Sequence, residues 1–327
     1  MADARPPGYN LNIGLSDVIG LRPVLDDLVD MAWEPGWSPA ALGRLVRLCD
    51  DMKRNLDPAA WQMARAEMLV HPLHRLMLED PLIRAAQDLA GRPGLLPLLQ
   101  DLLLRHETVQ GRLSQASRAG RDLFEATSGL SYFSALQGQP AFLARVIEAV
   151  LERRPGAEIL SLGAGHLREA AMLAQPGKLG RWVAQEPDRA VIATLREGLP
   201  PGLPLRSLRC NLSSFVRKPY LRGCFDLILL PDLPGCGTGR WARDVVDSAF
   251  AALKPGGLLL LGSAGPAPPE AAWMEVFLGL RPCWRSLEDM EELLAAVPPA
   301  EARRPRVFPG IGGGTEGRRL YAMVERR

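Results

Sequence analysis

The chain has 327 residues, which is long for a single domain and suits two domains of ordinary size. Hydrophobic residues make up 47% and charged residues 23% of the chain, a composition that excludes an intrinsically disordered protein. The 39 basic and 37 acidic residues leave a formal charge of +2, without the excess of Lys and Arg that phosphate-binding surfaces need. We therefore expect a folded, two-domain protein whose partners do not include nucleic acid.

The cysteines are odd in number, widely spaced and without a Cys-x-x-Cys pair, so the sequence indicates neither a disulfide framework nor a zinc site. We expect all of them to be reduced thiols. The N-terminus lacks the basic and apolar segments of a signal peptide, and no run of about 18 apolar residues predicts a membrane span. These features predict a cytoplasmic protein. The cysteines are Cys49, Cys210, Cys224, Cys236 and Cys283.

Apolar residues recur at spacings of three and four over residues 16–150, which predicts a helical first half. Ser38 before Pro39 and Asp57 before Pro58 indicate helix starts, because a short polar side chain followed by proline is typical of a helix N-terminus. We predict an all-helical N-terminal domain at residues 1–135. Two roles stay open for it: closing over a binding site of the second domain as a lid, or forming a homodimer.

The second half changes to short apolar runs that end in Gly, Pro or Asp and alternate with helical stretches. Such alternation gives a mainly parallel sheet with helices on both faces. We therefore predict an α/β, Rossmann-like domain at residues 136–327. The predicted strands are AEILSLG, RWVAQE, LRSLRC, FDLILLPD, GGLLLLGSA and RLYAMVER, and the predicted helices are REAAMLA, DRAVIATLRE, RWARDVVDSAFAAL and EAAWMEVFLGL.

A glycine-rich turn, Gly163-Ala164-Gly165, follows the first predicted strand. Glycine adopts backbone angles barred to other residues and has no Cβ, which lets the turn approach a ligand closely. In open α/β sheets ligands bind at the carboxyl ends of the strands, where this turn lies. A tight turn that binds nothing explains the two glycines equally well, so their meaning depends on the residues that follow the other strands.

Polar residues follow the next two predicted strands. Glu186, with Pro187 after it, stands about twenty residues past the glycines, where an acid can accept both hydroxyl protons of a ribose. Asn211 and Leu212 follow the third strand, where a short amide side chain can meet an adenine ring. A dinucleotide ligand fits this sequence less well, because dinucleotide-binding proteins have a small residue at the position where Arg168 stands.

Together with Phe225-Asp226 on the fourth strand and Leu253-Lys-Pro-Gly-Gly before the fifth, these motifs resemble class I S-adenosylmethionine-dependent methyltransferases over roughly residues 140–327. The resemblance implies S-adenosyl-L-methionine as the cofactor. It also implies methyl transfer by in-line displacement, in which the enzyme mainly aligns and desolvates its two reactants. The residues implied in cofactor binding are Gly163, Ala164, Gly165, Glu186, Pro187, Asn211 and Leu212.

A narrower resemblance involves His71-Pro-Leu-His74 and the run from Gly165 to Ala170. Both are similar to sequences of a bacterial methyltransferase group associated with making 3-hydroxypalmitic acid methyl ester. In that group a Pro-Arg-Gly-Tyr-Ala-Gly-Asp loop follows the His-Pro-Leu-His stretch, whereas Gly91-Arg-Pro-Gly stands here. The substrate of the group therefore cannot be carried over to this chain.

Asp232, after the fourth strand, and His166, in the glycine loop, are the two candidates for a general base. His166 could equally orient the loop through hydrogen bonds. His71, His74 and Asp80 lack a fourth metal ligand, so we predict no metal and expect these residues to cap or line a helix.

The function predicted from the sequence is O- or N-methylation of a small or amphipathic metabolite, with a small-molecule acceptor and no membrane span. Two alternatives stay open. One is a catalytically degenerate cofactor-binding regulatory protein, which would lack an intact pocket around Gly163, Glu186 and Asn211. The other is an aminopropyl transferase on the same fold, which would need an acidic substrate site beyond Asp232.

Overall fold

The computed structural model describes residues 20–31, 37–89, 94–195, 199–217, 221–233, 239–310 and 317–327. Cys236 and Gly91 lie outside the described residues. The helices are α1 Leu21–Asp30, α2 Trp37–Asn55, α3 Pro58–Val70, α4 Pro72–Met77, α5 Pro81–Asp88, α6 Leu95–Leu103, α7 Gln110–Ser114, α8 Arg118–Ser128, α9 Ser131–Arg153, α10 Arg189–Thr194, α11 Leu212–Val216, α12 Arg240–Ala251, α13 Ala271–Phe277 and α14 Leu287–Leu294. The strands are β1 Glu158–Leu162, β2 Arg181–Gln185, β3 Leu205–Leu208, β4 Phe225–Leu230, β5 Leu253–Ala264, β6 Ala302–Pro309 and β7 Arg319–Arg326.

The seven strands form one sheet in the order β3-β2-β1-β4-β5-β7-β6. Strands β1 to β5 pair in parallel, and β7 pairs antiparallel with both β5 and β6. The sheet is therefore mainly parallel, and the predicted Rossmann-like α/β fold, preceded by helices, is confirmed.

The sheet is buried on both faces by apolar side chains. One core contains Ile228 and Leu230 of β4 with Val245 and Phe250 of α12, and the other contains Leu227 and Leu229 of β4. All six residues of β4 are buried, and five of them are apolar, as expected for a strand covered on both faces. A strand buried in this way fixes the position of the residues that follow it.

Strand β6 is absent from the sequence predictions. It lies at the edge of the sheet, pairs only with β7, and reads Ala-Arg-Arg-Pro-Arg-Val-Phe-Pro with mostly exposed side chains. Polar residues and proline are typical of edge strands, because they discourage pairing with another chain. The apolar alternation that reveals inner strands is therefore missing here.

The helix predicted after the glycine turn is wrong in type. Arg168–Met172 forms a 3-10 helix, and Arg168, Glu169 and Ala170 are all buried. The segment consequently has no polar face toward solvent, unlike an amphipathic α-helix. The side chain of Arg168, the first residue of this helix, points inward and binds the carboxylate of Asp101.

The described residues fall into two compact units that interleave along the chain. One unit draws on Met1–Gln87, Ala116–Thr127 and Pro269–Leu280, and the other on Asp88–Gln115, Ser128–Pro268 and Arg281–Arg327. Helix α6 thus belongs to the unit that contains the sheet, although it lies in the helical half of the sequence. The boundary of autonomous domains at residues 135 and 136 stays a prediction.

Within the first unit, helix α13 is held to the N-terminal helices by Glu275. Its Oε1 accepts a hydrogen bond of 3.0 Å from Trp61 Nε1, and its carboxylate lies 3.4 Å from both Lys53 Nζ and Arg65 Nη1. The helix predicted at EAAWMEVFLGL is therefore present, but it packs with α2 and α3 in this unit.

Cys283 is disulfide-bonded, so the prediction that every cysteine is a reduced thiol is wrong at this position. The other described cysteines, Cys49, Cys210 and Cys224, take part in no disulfide. Across the described ranges, no helix is both long and apolar enough to cross a membrane.

Candidate active site

The strand order reverses between β1 and β4, so the carboxyl ends of these two strands border the crevice where open α/β sheets bind ligands. The glycine loop, residues 163–168, leaves β1 at this edge, and Pro231 and Asp232 leave β4 beside it. The topology therefore brings the predicted cofactor turn and one predicted base to the same crevice.

The glycine loop has an unusual backbone. Gly163, Gly165 and Leu167 all have positive φ angles, of 63°, 55° and 49°. Glycine adopts these angles freely, whereas a residue with a Cβ is strained by about 1–2 kcal/mol. A Cβ built on Gly163 would meet nothing within 4 Å, so the space in front of this residue is open.

Residues at the end of β2 hold the loop from one side. Gly163 N donates to Gln185 Oε1 at 2.9 Å, Ala164 N to Gln185 O at 2.9 Å, and Gly165 N to Glu186 Oε2 at 3.0 Å. Three successive N–H groups are thus bound by two adjacent residues. Gln185 is a site residue that sequence reasoning missed, because it lies inside a buried strand and carries no motif.

Glu186 is buried, and the backbone N–H of Asp188 also donates to its Oε1 at 3.1 Å. Burial raises the pKa of this carboxyl, while the N–H groups of Asp188 and Gly165 act in the opposite direction. Pro187, next in sequence, is exposed. Because a carboxylate has about four acceptor positions, Glu186 keeps capacity for further donors such as hydroxyl groups.

Asn211 is the N-cap of helix α11, and its Oδ1 accepts a hydrogen bond of 2.7 Å from Ser214 N. Its side chain is exposed, and Leu212 begins the helix. The Nε2 group of Gln185 donates to the carbonyl of Cys210, which links the end of β2 to the end of β3. The residues predicted after the third strand are therefore tied to the glycine loop through Gln185.

His166 is buried, and both of its ring nitrogens have partners. Nδ1 lies 2.8 Å from Asp101 Oδ2, and Nε2 lies 3.0 Å from Thr194 Oγ1. A base needs a free nitrogen within reach of the acceptor proton. The geometry therefore favours the alternative in which His166 orients the loop.

Asp232 lies at the surface of the crevice, with its side chain 46% exposed, and its Oδ1 pairs with Arg319 Nη1 at 2.6 Å. Arg319 is buried and also donates to the carbonyl of Pro231, which in addition accepts 3.1 Å from Gln139 Nε2. Nearby, burial raises the pKa of Tyr132 to about 12. The turn after β4 is thus fixed, while one edge of the Asp232 carboxylate faces solvent.

Asp226 lies at the opposite end of β4 and takes no part in this crevice. Its carboxylate accepts from Arg154 Nη1 at 3.0 Å, Lys254 Nζ at 2.8 Å and Glu158 N at 2.9 Å. Burial alone would raise its pKa, but these three donors lower it below its ordinary value. The motif residue Asp226 therefore joins β1, β4 and β5 at their amino ends.

Two site residues had no motif of their own in the sequence: Asp101 and Arg319. Asp101 did carry one signal, because it is the only charged residue in the apolar helix Leu95–Leu103. An acid in such a helix is buried only when it is paired. Arg319, at the start of β7, gave no comparable signal.

Two of the residues considered for a metal, His71 and Asp80, act as helix caps in the first unit, and His74 lies within helix α4. His71 Nδ1 accepts from Leu73 N at 3.2 Å, its Nε2 lies 3.1 Å from Asp26 Oδ1, and Asp80 Oδ1 accepts from Leu82 N at 2.7 Å. Among the residues that the structure describes, no group of three His, Cys, Asp or Glu side chains could hold a metal ion.

Comparison with solved structures shows the fold. A possible exported protein from Bordetella parapertussis matches with a TM-score of 0.55 and 16% identity, covering 98% of this chain and 99% of its own. The CurJ carbon methyltransferase matches with a TM-score of 0.51 and 14% identity, covering 95% and 98%. The CMeT domain of the citrinin polyketide synthase matches with a TM-score of 0.52 and 14% identity, covering 95% and 96%.

No protein-family model and no curated protein sequence matches the chain. The structural matches extend over almost the entire chain, so the likeness in fold includes the N-terminal helices.

Proposed function

We propose that the protein is an S-adenosyl-L-methionine-dependent methyltransferase. One observation carries the proposal: the glycine loop lies at the reversal point of the sheet with open space in front of Gly163, directly beside the buried carboxylate of Glu186. Strained backbone and an acid at this place suit a nucleoside ligand whose ribose lies against the loop. The fold shared with CurJ and the CMeT domain supports the same proposal.

Each predicted cofactor residue has a definite task in this proposal. The backbone of Gly163, Ala164 and Gly165 forms the wall against which the cofactor lies. Glu186 accepts the ribose hydroxyls, Pro187 borders the ribose on the exposed side, and Asn211 and Leu212 lie toward the adenine. Because Asn211 Oδ1 already accepts from Ser214 N, its amide nitrogen is the group left to donate.

S-adenosylmethionine supplies an electrophilic methyl group when it is bound. The chain must align the acceptor with that group, exclude water and, for a hydroxyl acceptor, receive a proton. Asp232 is the residue we assign to the proton, because its carboxylate is held by Arg319 on one side and reaches solvent on the other. His166 orients the glycine loop.

We propose a small or amphipathic metabolite as the acceptor, without nucleic acid as a partner. The near-neutral charge and the partial sequence resemblance to the 3-hydroxypalmitic acid methyl ester group support this class. Oxygen and nitrogen are the acceptor atoms expected from the sequence. Carbon is a further candidate, because the structural neighbour CurJ is named a carbon methyltransferase and matches over 95% of this chain.

The remaining parts of the proposal concern the whole protein. We propose that the N-terminal helices close over the acceptor site, with formation of a homodimer as the other role. Cytoplasmic localisation likewise stays a proposal, and the similarity to a possible exported protein makes cell fractionation its direct test.

Calorimetric titration with S-adenosylmethionine and S-adenosylhomocysteine tests the proposed function. We expect one site per chain for both compounds, followed by transfer of a labelled methyl group to a metabolite fraction. Absence of binding to the wild-type protein would overturn the proposal. Binding without any transfer would instead support the degenerate regulatory protein, and transfer of a labelled aminopropyl group from decarboxylated cofactor would support the aminopropyl transferase.

A further inference from the structure

Helix α6 runs along the loops that form the proposed cofactor site. A Cβ at Gly94, its N-cap, would lie 3.0 Å from Asp188 Oδ2, and a Cβ at Gly165 would lie 3.4 Å from Pro97 Cγ. Asp101, four residues after Pro97, reaches the residues that follow Gly165. Positions 94, 97 and 101 share one helix face, because they are spaced by three and four. This face therefore covers the loops after β1 and β2.

Asp101 is the only charged residue of this helix and is 2% exposed. Its Oδ1 accepts from Arg168 Nε at 2.6 Å, and its Oδ2 accepts from Arg168 Nη2 at 2.8 Å and from His166 Nδ1 at 2.8 Å. Burial alone would raise the pKa of Asp101, but the hydrogen bonds from Arg168 and His166 lower it to about 2. The carboxylate is therefore ionised and bound by two side chains of the same loop.

His166 extends this connection to a third element. Its Nε2 lies 3.0 Å from Thr194 Oγ1 on helix α10, which follows β2. A chain of hydrogen bonds thus runs from α6 through the residues after β1 to the helix after β2. Such buried ionic networks contribute little net stability but can specify a geometry, because any other arrangement leaves a buried charge unpaired.

The strained backbone of the glycine loop must be restrained by its surroundings. Leu167 has a φ of 49° although it has a side chain, and it lies between the two residues that Asp101 binds. A strained backbone persists only where its surroundings restrain it. Gln185 and Glu186 restrain the loop at residues 163–165, and Asp101 restrains it at residues 166–168.

We propose that Asp101 is a positioning residue for the cofactor loop: by binding Arg168 and His166, it keeps residues 163–168 in the conformation that receives S-adenosylmethionine. The proposal rests on the proposed function for its ligand, but the hold on the loop is a property of the free protein. In this proposal Asp101, a residue of the helical half of the sequence, affects cofactor affinity without contacting the cofactor.

Asp101→Asn tests this, because it keeps the shape of the side chain and removes the charge that Arg168 needs. We expect the dissociation constant for S-adenosylhomocysteine to rise about tenfold or more, since a buried guanidinium left without its carboxylate must find another partner. In the free full-length protein, amide hydrogen exchange over residues 163–172 should become faster than in the wild type.

Asp226→Asn is the matched control, because this carboxylate also binds two cationic side chains but at the amino ends of the strands. It should lower the unfolding midpoint without changing affinity for S-adenosylhomocysteine or exchange at residues 163–172. If Asp101→Asn fails to fold, Arg168→Lys keeps the charge, loses the two-pronged contact and should show the same two effects.

Amide hydrogen exchange and affinity for S-adenosylhomocysteine together distinguish the role proposed for Asp101 from the proposed methyltransferase function. Unchanged exchange and unchanged affinity in Asp101→Asn, or effects no larger than those of Asp226→Asn, would overturn the role of Asp101. A wild-type protein that binds no S-adenosylhomocysteine would overturn the proposed function, and the exchange measurement would still decide whether Asp101 holds the loop.

Discussion

The backbone N–H of Gly165 donates a hydrogen bond of 3.0 Å to the carboxylate of Glu186. The acid expected to bind a ribose therefore also shapes the turn that would lie against that ribose. Neighbouring strands β1 and β2 make this possible, because their carboxyl ends lie side by side in parallel register. Any substitution of Glu186 must consequently be judged by its effect on the loop as well as on a ligand.

Glu186→Gln should separate these two roles. The amide oxygen can still accept from Gly165 N, so the loop should survive, although the N–H of Asp188 loses its acceptor. The charge that favours ribose hydroxyls is lost. We expect binding of S-adenosylhomocysteine to weaken by on the order of 2 kcal/mol in calorimetry. The free energy of unfolding near neutral pH should change little, because removing a buried charge whose pKa is raised by burial offsets the loss of the acceptor for the N–H of Asp188. Unchanged affinity would remove Glu186 from the cofactor site.

Gly163→Ala tests whether the open space at the loop is used by a ligand. Gly223 offers a matched control, since its φ is 64° against 63° for Gly163 and neither Cβ would meet an atom within 4 Å. Both alanine variants should lose about 1 kcal/mol of stability through backbone strain. Only Gly163→Ala should lose affinity for S-adenosylhomocysteine, because its new methyl group occupies the proposed site. Equal affinity in the two variants would contradict that placement.

Asp232→Asn tests the proposed base. The variant keeps an oxygen for Arg319, and we expect turnover with a hydroxyl or carbon acceptor to fall by about a hundredfold or more while cofactor affinity changes little. Glu301→Gln is a suitable control, because Glu301 is 50% exposed and pairs with Arg326 at 3.1 Å, much as Asp232 is 46% exposed and pairs with Arg319. The control should keep full turnover. Full turnover in Asp232→Asn as well would mean that alignment alone supports the reaction.

Because Asp80 is buried in the first unit, we expect the free energy of unfolding to depend on pH. Burial raises the pKa of its carboxyl from 3.8 to about 7. An acid with a raised pKa holds its proton more tightly in the folded state than in the unfolded state. The protonated Asp80 carboxyl therefore contributes its full stabilisation of the fold below pH 3.8, and this stabilisation is lost as the pH rises toward 7. Asp80→Asn stays neutral and can still accept from Leu82 N. Its free energy of unfolding should exceed that of the wild type by up to about 4 kcal/mol at about pH 8, since each pKa unit between 3.8 and about 7 corresponds to about 1.4 kcal/mol.

Denaturant titrations of the two proteins at about pH 4, 6 and 8 check this. The difference between them should be small at the lowest pH and grow with pH. Glu169, whose pKa burial also raises to about 7, is present in both proteins and so cancels from the difference. A difference that is constant over the series would show that Asp80 carries no such penalty.

Local patterns in the sequence determined much of this protein. The buried strands are visible as apolar runs, and the cap at Asp57 is confirmed by its hydrogen bonds of 2.9 Å and 2.8 Å from Ala59 N and Ala60 N. Gly163 and Glu186 stood out because each follows such a run. Side-chain burial, backbone freedom and capping act over a few residues, so they leave signals that can be detected without knowledge of the fold.

Only the tertiary structure decided which distant residues meet. Asp101 and Arg168 are separated by 67 residues, and Asp232 and Arg319 by 87, yet each pair is bound at 2.6 Å. The polar edge strand β6 and the place of β7 between β5 and β6 likewise came from the assembled sheet. No periodic pattern links such positions, because their contact depends on strand order and helix packing across the entire unit. The partners that hold the glycine loop and the proposed base were therefore decided by packing.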